Sequence, residues 1–221
     1  MGMVLVLPSR SHFAVRLFFA GLAWLLLNSF ASAEPLRIVA LGDSLTAGLG
    51  LPAAEAFPSR LEAALKAKGH DVTVVNAGVS GDTAAQGLAR LDWALADGAD
   101  AVIVELGAND MLRGVDPAAT RATLNEIVSK IEARGAKVLI AGMYAAPNLG
   151  PGYTNAFNGM FPDLAREHQT LLYPFFMDGL IGVPGMVQAD GEHPTAAGSE
   201  EIARRMLPLV EELIGQINKT G

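Results

Sequence analysis

The feature that most narrows the choice of fold is a repeated change of period along the chain. Short runs rich in Val, Ile and Leu alternate with stretches whose apolar residues recur at helical spacing. The runs are Leu36–Leu41, Val72–Val75, Ala101–Leu106 and Lys137–Ala141, with a weaker one at Leu171–Tyr173 followed at once by Pro174. Their apolar residues stand at consecutive rather than alternate positions, so they read as strands buried on both faces. The last, with its proline, suits a sheet edge.

Helical patterns fill the gaps. Pro58–Lys68 has a proline near its start and Gly69 at its end. A second helix is expected from a cap at Asp82 or Thr83 to Gly98, with Leu88, Leu91 and Leu95 on one face. A third opens at Asp116-Pro117, carries Leu124, Ile127, Val128 and Ile131, and stops at Gly135. A fourth covers about 155–168. The last runs from about Thr195 to Ile217 with a stripe of Ile202, Met206, Leu209 and Leu213, and Pro208 is expected to kink or divide it. Strand and helix thus alternate, which implies a parallel sheet with right-handed crossovers and helices on both faces, a three-layer α/β/α sandwich. Ligands of such sheets sit beyond the carboxyl ends of the strands.

The first 33 residues read as an address rather than as part of that fold. Arg10 and Arg16 precede the apolar run Leu17–Leu27, no acidic residue occurs before Glu34, and Ala31-Ser32-Ala33 has the small residues of a cleavage site. The run is shorter than the roughly 20 residues of a membrane span. The expected layout is a secretory signal at 1–33 and a single domain at 34–221. Cleavage removes two arginines and shifts the formal charge from −7 to −9. An acidic chain of this kind is a poor partner for nucleic acid. With no cysteine, disulfides, thiolate metal sites and a cysteine nucleophile are excluded.

Chemistry-bearing residues gather where the topology places ligands. Gly42-Asp43-Ser44-Leu45 follows the first run, Asn76-Ala77-Gly78-Val79-Ser80-Gly81 the second, and Gly107-Ala108-Asn109-Asp110 the third. Asp190-Gly191-Glu192-His193-Pro194 precedes the last helix. Taken singly, Ser44 is an N-cap serine or a nucleophile, Gly78 a turn glycine or a point of close ligand approach, and Asn109 a turn residue or an oxyanion donor. His70 and His168 read as solvated or dipole-favoured residues at helix ends. His193 differs from them, because Asp190 three residues earlier is placed to hold one ring nitrogen. Together these residues supply what acyl transfer needs. A hydroxyl is a weak nucleophile until a base takes its proton, imidazole is the base suited to neutral pH, and a carboxylate fixes the imidazole tautomer. Glu192 is expected to face solvent, and Glu105, inside the third run, to make a buried structural hydrogen bond.

These blocks resemble those of the GDSL/SGNH hydrolases along essentially the whole chain after residue 33. The four residues that give SGNH its letters fall on Ser44, Gly78, Asn109 and His193. Pro147–Tyr153 and Pro174-Phe175-Phe176-Met177 are similar to the thioesterase I / protease I / lysophospholipase L1 branch, often called arylesterases. The resemblance implies a flavodoxin-like, five-stranded sheet of order 2-1-3-4-5 and no metal or cofactor. Ser44 would be the nucleophile, His193 the base and then the acid, and Asp190 the residue that orients it. The backbone N–H groups of Ser44 and Gly78 and the Asn109 side chain would form the oxyanion hole. A mobile loop at 78–87 would lie beside the acyl groove. Val79, Pro147, Leu149 and Tyr153 are the expected substrate contacts. Location in the periplasm or outside the cell, a small acyl ester or thioester substrate, no lasting membrane anchor and a monomer complete the expectation. The G-x-S-x-G elbow of the α/β-hydrolases is absent.

Two other readings stay open at this point: a carbohydrate O-acetylesterase on the same scaffold, and a non-catalytic lipid- or glycan-binding module. An acyl groove needs apolar walls. Met143, Tyr144, Pro147, Leu149 and Met160, with Leu180, Ile181 and Val183, lean that way. The intact Ser/His/Asp set argues against a mere binder.

Overall fold

The first strand, β1 (Leu36–Gly42), is buried from Ile38 onward on both faces, which its unbroken apolar sequence requires. It takes the centre of a parallel sheet with β2 (Val72–Gly78) on one side and β3 (Ala101–Glu105) on the other. β4 (Lys137–Ala141) and β5 (Leu171–Tyr173) continue outward from β3. The order is β2-β1-β3-β4-β5, so the proline-terminated strand does lie at an edge. The computed structural model describes residues 1–2 and 34–218, and the expected secretory segment lies outside the described residues apart from its first two. Residues 35–221 form one compact unit.

Among the described residues the helices are α1 (Ser44–Ala47), α2 (Phe57–Ala67), α3 (Ala84–Ala89), α4 (Leu91–Ala94), α5 (Ala108–Leu112), α6 (Pro117–Glu132), α7 (Pro151–Glu167) and α8 (Ala196–Asn218). α2 packs against α8, while α6 packs against α3 and α7, which gives the outer layers of the sandwich. α2 starts with Pro58 in its first turn, and α6 with Pro117 behind an Asp116 cap whose carboxylate accepts from Ala118 N–H at 2.9 Å. The core between the layers includes Ile38, Leu41, Ile103, Leu61, Ile127 and Phe157, all fully buried.

Three expectations are corrected. The helix foreseen from Thr83 to Gly98 is two short ones, broken at Arg90 (φ −107°, ψ 7°). Thr83 does form a capping box with Gln86, but the Arg90 side chain turns back toward the sheet and the helix does not run through it. The last helix is continuous through Pro208, because that residue sits on the exposed face and the N–H it lacks costs nothing in the core. Val210, not Leu209, completes its buried stripe with Ile202, Met206 and Leu213. Finally, α7 begins at Pro151, four residues earlier than the expected start at about 155, and it carries an exposed proline, Pro162, in the same manner.

Candidate active site

The site grows from the strand ends. β1 stops at Gly42, Asp43 caps α1 by accepting from Leu45 N–H at 3.0 Å, and Ser44 is the first helical residue. Its N–H therefore has no carbonyl one turn earlier to bond, and the helix end favours negative charge there. At the far end of the domain the chain leaves β5 and reaches 187–194, where Val187 and Pro194 form an antiparallel bridge. Within that bend Asp190 Oδ1 accepts from the N–H groups of Glu192 (2.9 Å) and His193 (3.0 Å). The same carboxylate, through Oδ2, lies 2.8 Å from His193 Nδ1, and His193 Nε2 lies 2.8 Å from Ser44 Oγ. Hydroxyl, imidazole and carboxylate are thus in line. The backbone N–H donations, first that of His193, hold the Asp190 carboxyl down at about 2. Glu192 points to solvent as expected.

Beneath Ser44 lies a pair of carboxyls. Asp43 is 0% and Glu105 1% exposed. Glu105 Oε2 accepts from Thr46 Oγ1 at 2.8 Å and from Asp43 N–H at 3.3 Å, the structural role expected for it. Burial pushes Asp43 up to about 6 and Glu105 well above the usual carboxylate range, the second helped by the charge of the first. Two neighbouring carboxyls in a dry site do not both ionise, so Glu105, pushed up the more and raised further by the Asp43 charge, is the one that holds a proton. Asp43 Oδ2 in turn accepts from Asn109 Nδ2 at 3.0 Å. That bond fixes which end of the Asn109 amide faces inward and leaves its second N–H unused.

One expected donor is corrected. The Gly78 N–H donates to Asn76 Oδ1 at 3.0 Å, so it is already engaged. The need for glycine at position 78 has another cause: a Cβ there would stand 2.3 Å from Ala47 N, so only glycine lets α1 approach β2. Asn76 completes this joint by donating to Ala47 O at 3.3 Å. Three residues on, Gly81 (φ +87°) has an N–H with no partner among the described residues.

Residues that sequence reasoning passed over hold the strand ends in place. Arg90 donates to Gly42 O (2.9 Å), to Ala77 O (2.8 Å) and to Asp82 Oδ2 (2.6 Å), which binds the ends of β1 and β2 together. Arg113 Nη2 donates to Gly81 O at 2.7 Å. Asp110 accepts from Ala84 N–H at 2.8 Å, which anchors the start of α3, and burial raises its carboxyl. In the sequence Arg90 stands in the middle of an expected helix, where a lone cation gives no sign of this role.

Of the expected substrate contacts, Val79, Pro147 and Leu149 are exposed, as are Leu112, Tyr144, Ile181 and Val183. Tyr153 is placed differently. Its hydroxyl donates to Val115 O at 2.8 Å and its ring stacks on Phe157, which makes it an anchor for α7. Met143, Met160 and Leu180 are buried in the core and so form no groove wall. His168 is not merely solvated: its ring bridges Glu132 (2.8 Å) and Asn125 (2.9 Å), joining α7 to α6. His70 pairs with Glu211 at 3.2 Å.

A hydroxyl within hydrogen-bond range of a carboxylate-held imidazole, at the carboxyl edge of a parallel five-stranded sheet, is the arrangement that acyl transfer through a serine requires. Residues 40–200 match the model of the GDSL-like Lipase/Acylhydrolase family, and the chain belongs to that family. It is 43% identical over 194 residues to "Esterase TesA" of Pseudomonas aeruginosa, covering 87% of this chain and 96% of the relative. It is 40% identical over 176 residues to "Arylesterase" of Vibrio mimicus, covering 79% and 88%. "Thioesterase 1/protease 1/lysophospholipase L1" of Escherichia coli K12 is 38% identical over 192 residues, covering 86% and 91%. A crystal structure of TesA superposes with a TM-score of 0.76 at 42% identity, over 80% of this chain and 99% of that one. The protein is accordingly an ester hydrolase of the GDSL type, with the flavodoxin-like SGNH fold.

Proposed function

We propose that the protein hydrolyses acyl oxyesters and thioesters through an acyl-enzyme on Ser44, and that it does so outside the cytoplasm. Ser44 Oγ attacks the carbonyl carbon while its proton passes to His193 Nε2, and Asp190 stabilises the imidazolium. The oxyanion takes hydrogen bonds from Ser44 N–H and the free N–H of the Asn109 amide. The unpartnered Gly81 N–H serves in place of that of Gly78. Collapse of the tetrahedral adduct breaks the bond to the leaving group, which departs with the proton from His193. Water then attacks the acyl-enzyme by the same route, returning Ser44 to its starting state.

The observation that carries this reading is the pair of 2.8 Å contacts that link Ser44, His193 and Asp190. The exposed aliphatic residues Val79, Leu112 and Leu149, in the segments that follow β2, β3 and β4, favour an acyl chain over a sugar. Location rests on the secretory pattern of residues 1–33 with cleavage after Ala33. Among the described residues no helix is long and apolar enough to cross a membrane. The test compares p-nitrophenyl acetate, butyrate and octanoate, a palmitoyl thioester and acetylated xylan as substrates. A fluorophosphonate probe reports on Ser44. Labelling that is lost in Ser44→Ala, with turnover of the butyrate or octanoate, supports the proposal. Turnover of xylan acetate alone, or full activity of Ser44→Ala, overturns it.

A further inference from the structure

The base stands on irregular chain. His193 belongs to neither a strand nor a helix, and Asp190, which orients it, lies in the same bend. Asp190 fixes the ring relative to its own loop but does nothing to fix that loop relative to Ser44. We infer that Gln188 performs this task, as a positioning residue that ties the His193 loop to the segment following the nucleophile. The inference rests on the reading of His193 as the base.

Four contacts of Gln188 carry the argument. Its N–H donates to His193 O at 2.7 Å, and its own carbonyl accepts from Gly191 N–H at 3.0 Å, which closes the bend. Its side-chain Nε2 donates both to Pro194 O and to Leu49 O, each at 2.8 Å. An amide nitrogen has two hydrogens, and here each meets a carbonyl on one of the two segments to be joined. Leu49 is itself bound to the nucleophile residue, since its N–H donates to Ser44 O at 3.1 Å. A closed ring of hydrogen bonds results: Ser44 to Leu49, Leu49 to Gln188, Gln188 to His193, and His193 back to Ser44. The amide is seated closely enough that a Cβ on Gly50 (φ +79°) would lie 2.7 Å from Gln188 Oε1. No other amino acid supplies two donors at that reach in a neutral group. Glutamate would set a carboxylate against two carbonyl oxygens, and methionine would leave both carbonyls without a donor.

Misplacement of a catalytic group by about 1 Å costs on the order of 10²-fold in rate. Gln188→Ala is therefore expected to lower kcat for p-nitrophenyl butyrate by about 10- to 100-fold with KM little changed. Fluorophosphonate labelling of Ser44 should slow in parallel. The deciding measurement is a double-mutant cycle on the full-length enzyme with His193→Ala, whose residual turnover is still measurable. If Gln188 acts through the imidazole, adding Gln188→Ala to His193→Ala costs no more than about twofold. An equal loss in both backgrounds makes the effect one on the fold or on the oxyanion donors, and overturns the inference. So does a single Gln188→Ala variant within twofold of the wild type. Should Gln188→Ala lack a cooperative melt, the similarly sized Gln188→Glu is read by the same criteria. Failure of both to fold would make Gln188 a determinant of folding and also overturn the inference. Full activity of His193→Ala would instead overturn the assignment of the base.

Discussion

Replacing Glu105 by glutamine tests the buried acid pair beneath Ser44. Glu105 Oε2 receives Thr46 Oγ1–H and Asp43 N–H, and its carboxyl neighbours that of Asp43, whose charge raises it further. A glutamine keeps both acceptor contacts through its oxygen and carries no charge, so it mimics Glu105 provided that Glu105 is protonated in the native state. Stability near pH 7 should then change by less than about 1 kcal/mol or rise. Glu105→Ala leaves two buried donors unpaired, at about 1–3 kcal/mol each, and opens a cavity, so a loss of about 3–6 kcal/mol is expected from a total of about 5–15. The pH dependence separates the two protonation states. A carboxyl whose native pKa is raised holds a proton that the unfolded chain has released, so its contribution is full below the unfolded value of 4.5 and is lost as pH rises toward the native value. In the wild type this group alone should lower stability by about 1.4 kcal/mol per pH unit across that window. Glutamine removes the slope. Urea unfolding of both proteins at pH 5.5, 6.5 and 7.5 reads it directly, with the gap moving in favour of Glu105→Gln as pH rises. Parallel curves, or a glutamine variant as unstable as the alanine one, would show that Glu105 is ionised in the folded protein and would refute the shared-proton reasoning.

Other perturbations bear on the rest of the site. Asn109→Ala should lower kcat by about 10²–10³ with KM little changed, since the lost donor matters most when the oxyanion forms; steady-state kinetics on p-nitrophenyl butyrate check this, and an effect confined to KM would make Asn109 a binding residue. Asp190, held down at about 2, stays ionised across the working range, so the fall of kcat/KM on acidification should contain no ionisation of its own; a step in kcat/KM between pH 3 and 5 that is lost in Asp190→Asn would contradict this. Arg90→Met should cost about 3–5 kcal/mol in a denaturant titration, because the nearly buried Asp82 loses its partner and two strand-end carbonyls lose their donor.

Legibility in the sequence varied with what each residue's neighbours could reveal. Lys137–Ala141 coincides with β4, because a strand buried on both faces carries an apolar signature, while Leu171–Tyr173 coincides with β5, a partly buried edge strand marked by the proline that follows it. α1 and α5 were invisible, since helices of four and five residues are too short to show a period. The meeting of Ser44, Asp190 and His193 could be anticipated because their types and places near strand ends left few alternatives. Gly78 was misjudged because a glycine demanded by backbone packing and one demanded by a ligand look alike in a sequence. Met143 and Leu149 show the same ambiguity: both follow β4, yet one is buried in the core and the other is exposed. Asp43, Arg90 and Gln188 act through contacts to residues far away in the chain, for which no local pattern exists.

The 149 positions that separate Ser44 from His193 also bear on how the protein comes into being. The hydroxyl leaves the ribosome early and its base late, with four of the five strands synthesised between them or after the first. On the proposed mechanism a chain halted anywhere before position 193 carries a serine without its base, and a chain cut near its end loses that base before it loses most of the sheet. Hydrolysis of a chromogenic ester is therefore a late reporter of maturation: it registers only molecules whose two extremities have come together, and such distant closure is among the slower events available to a folding polypeptide.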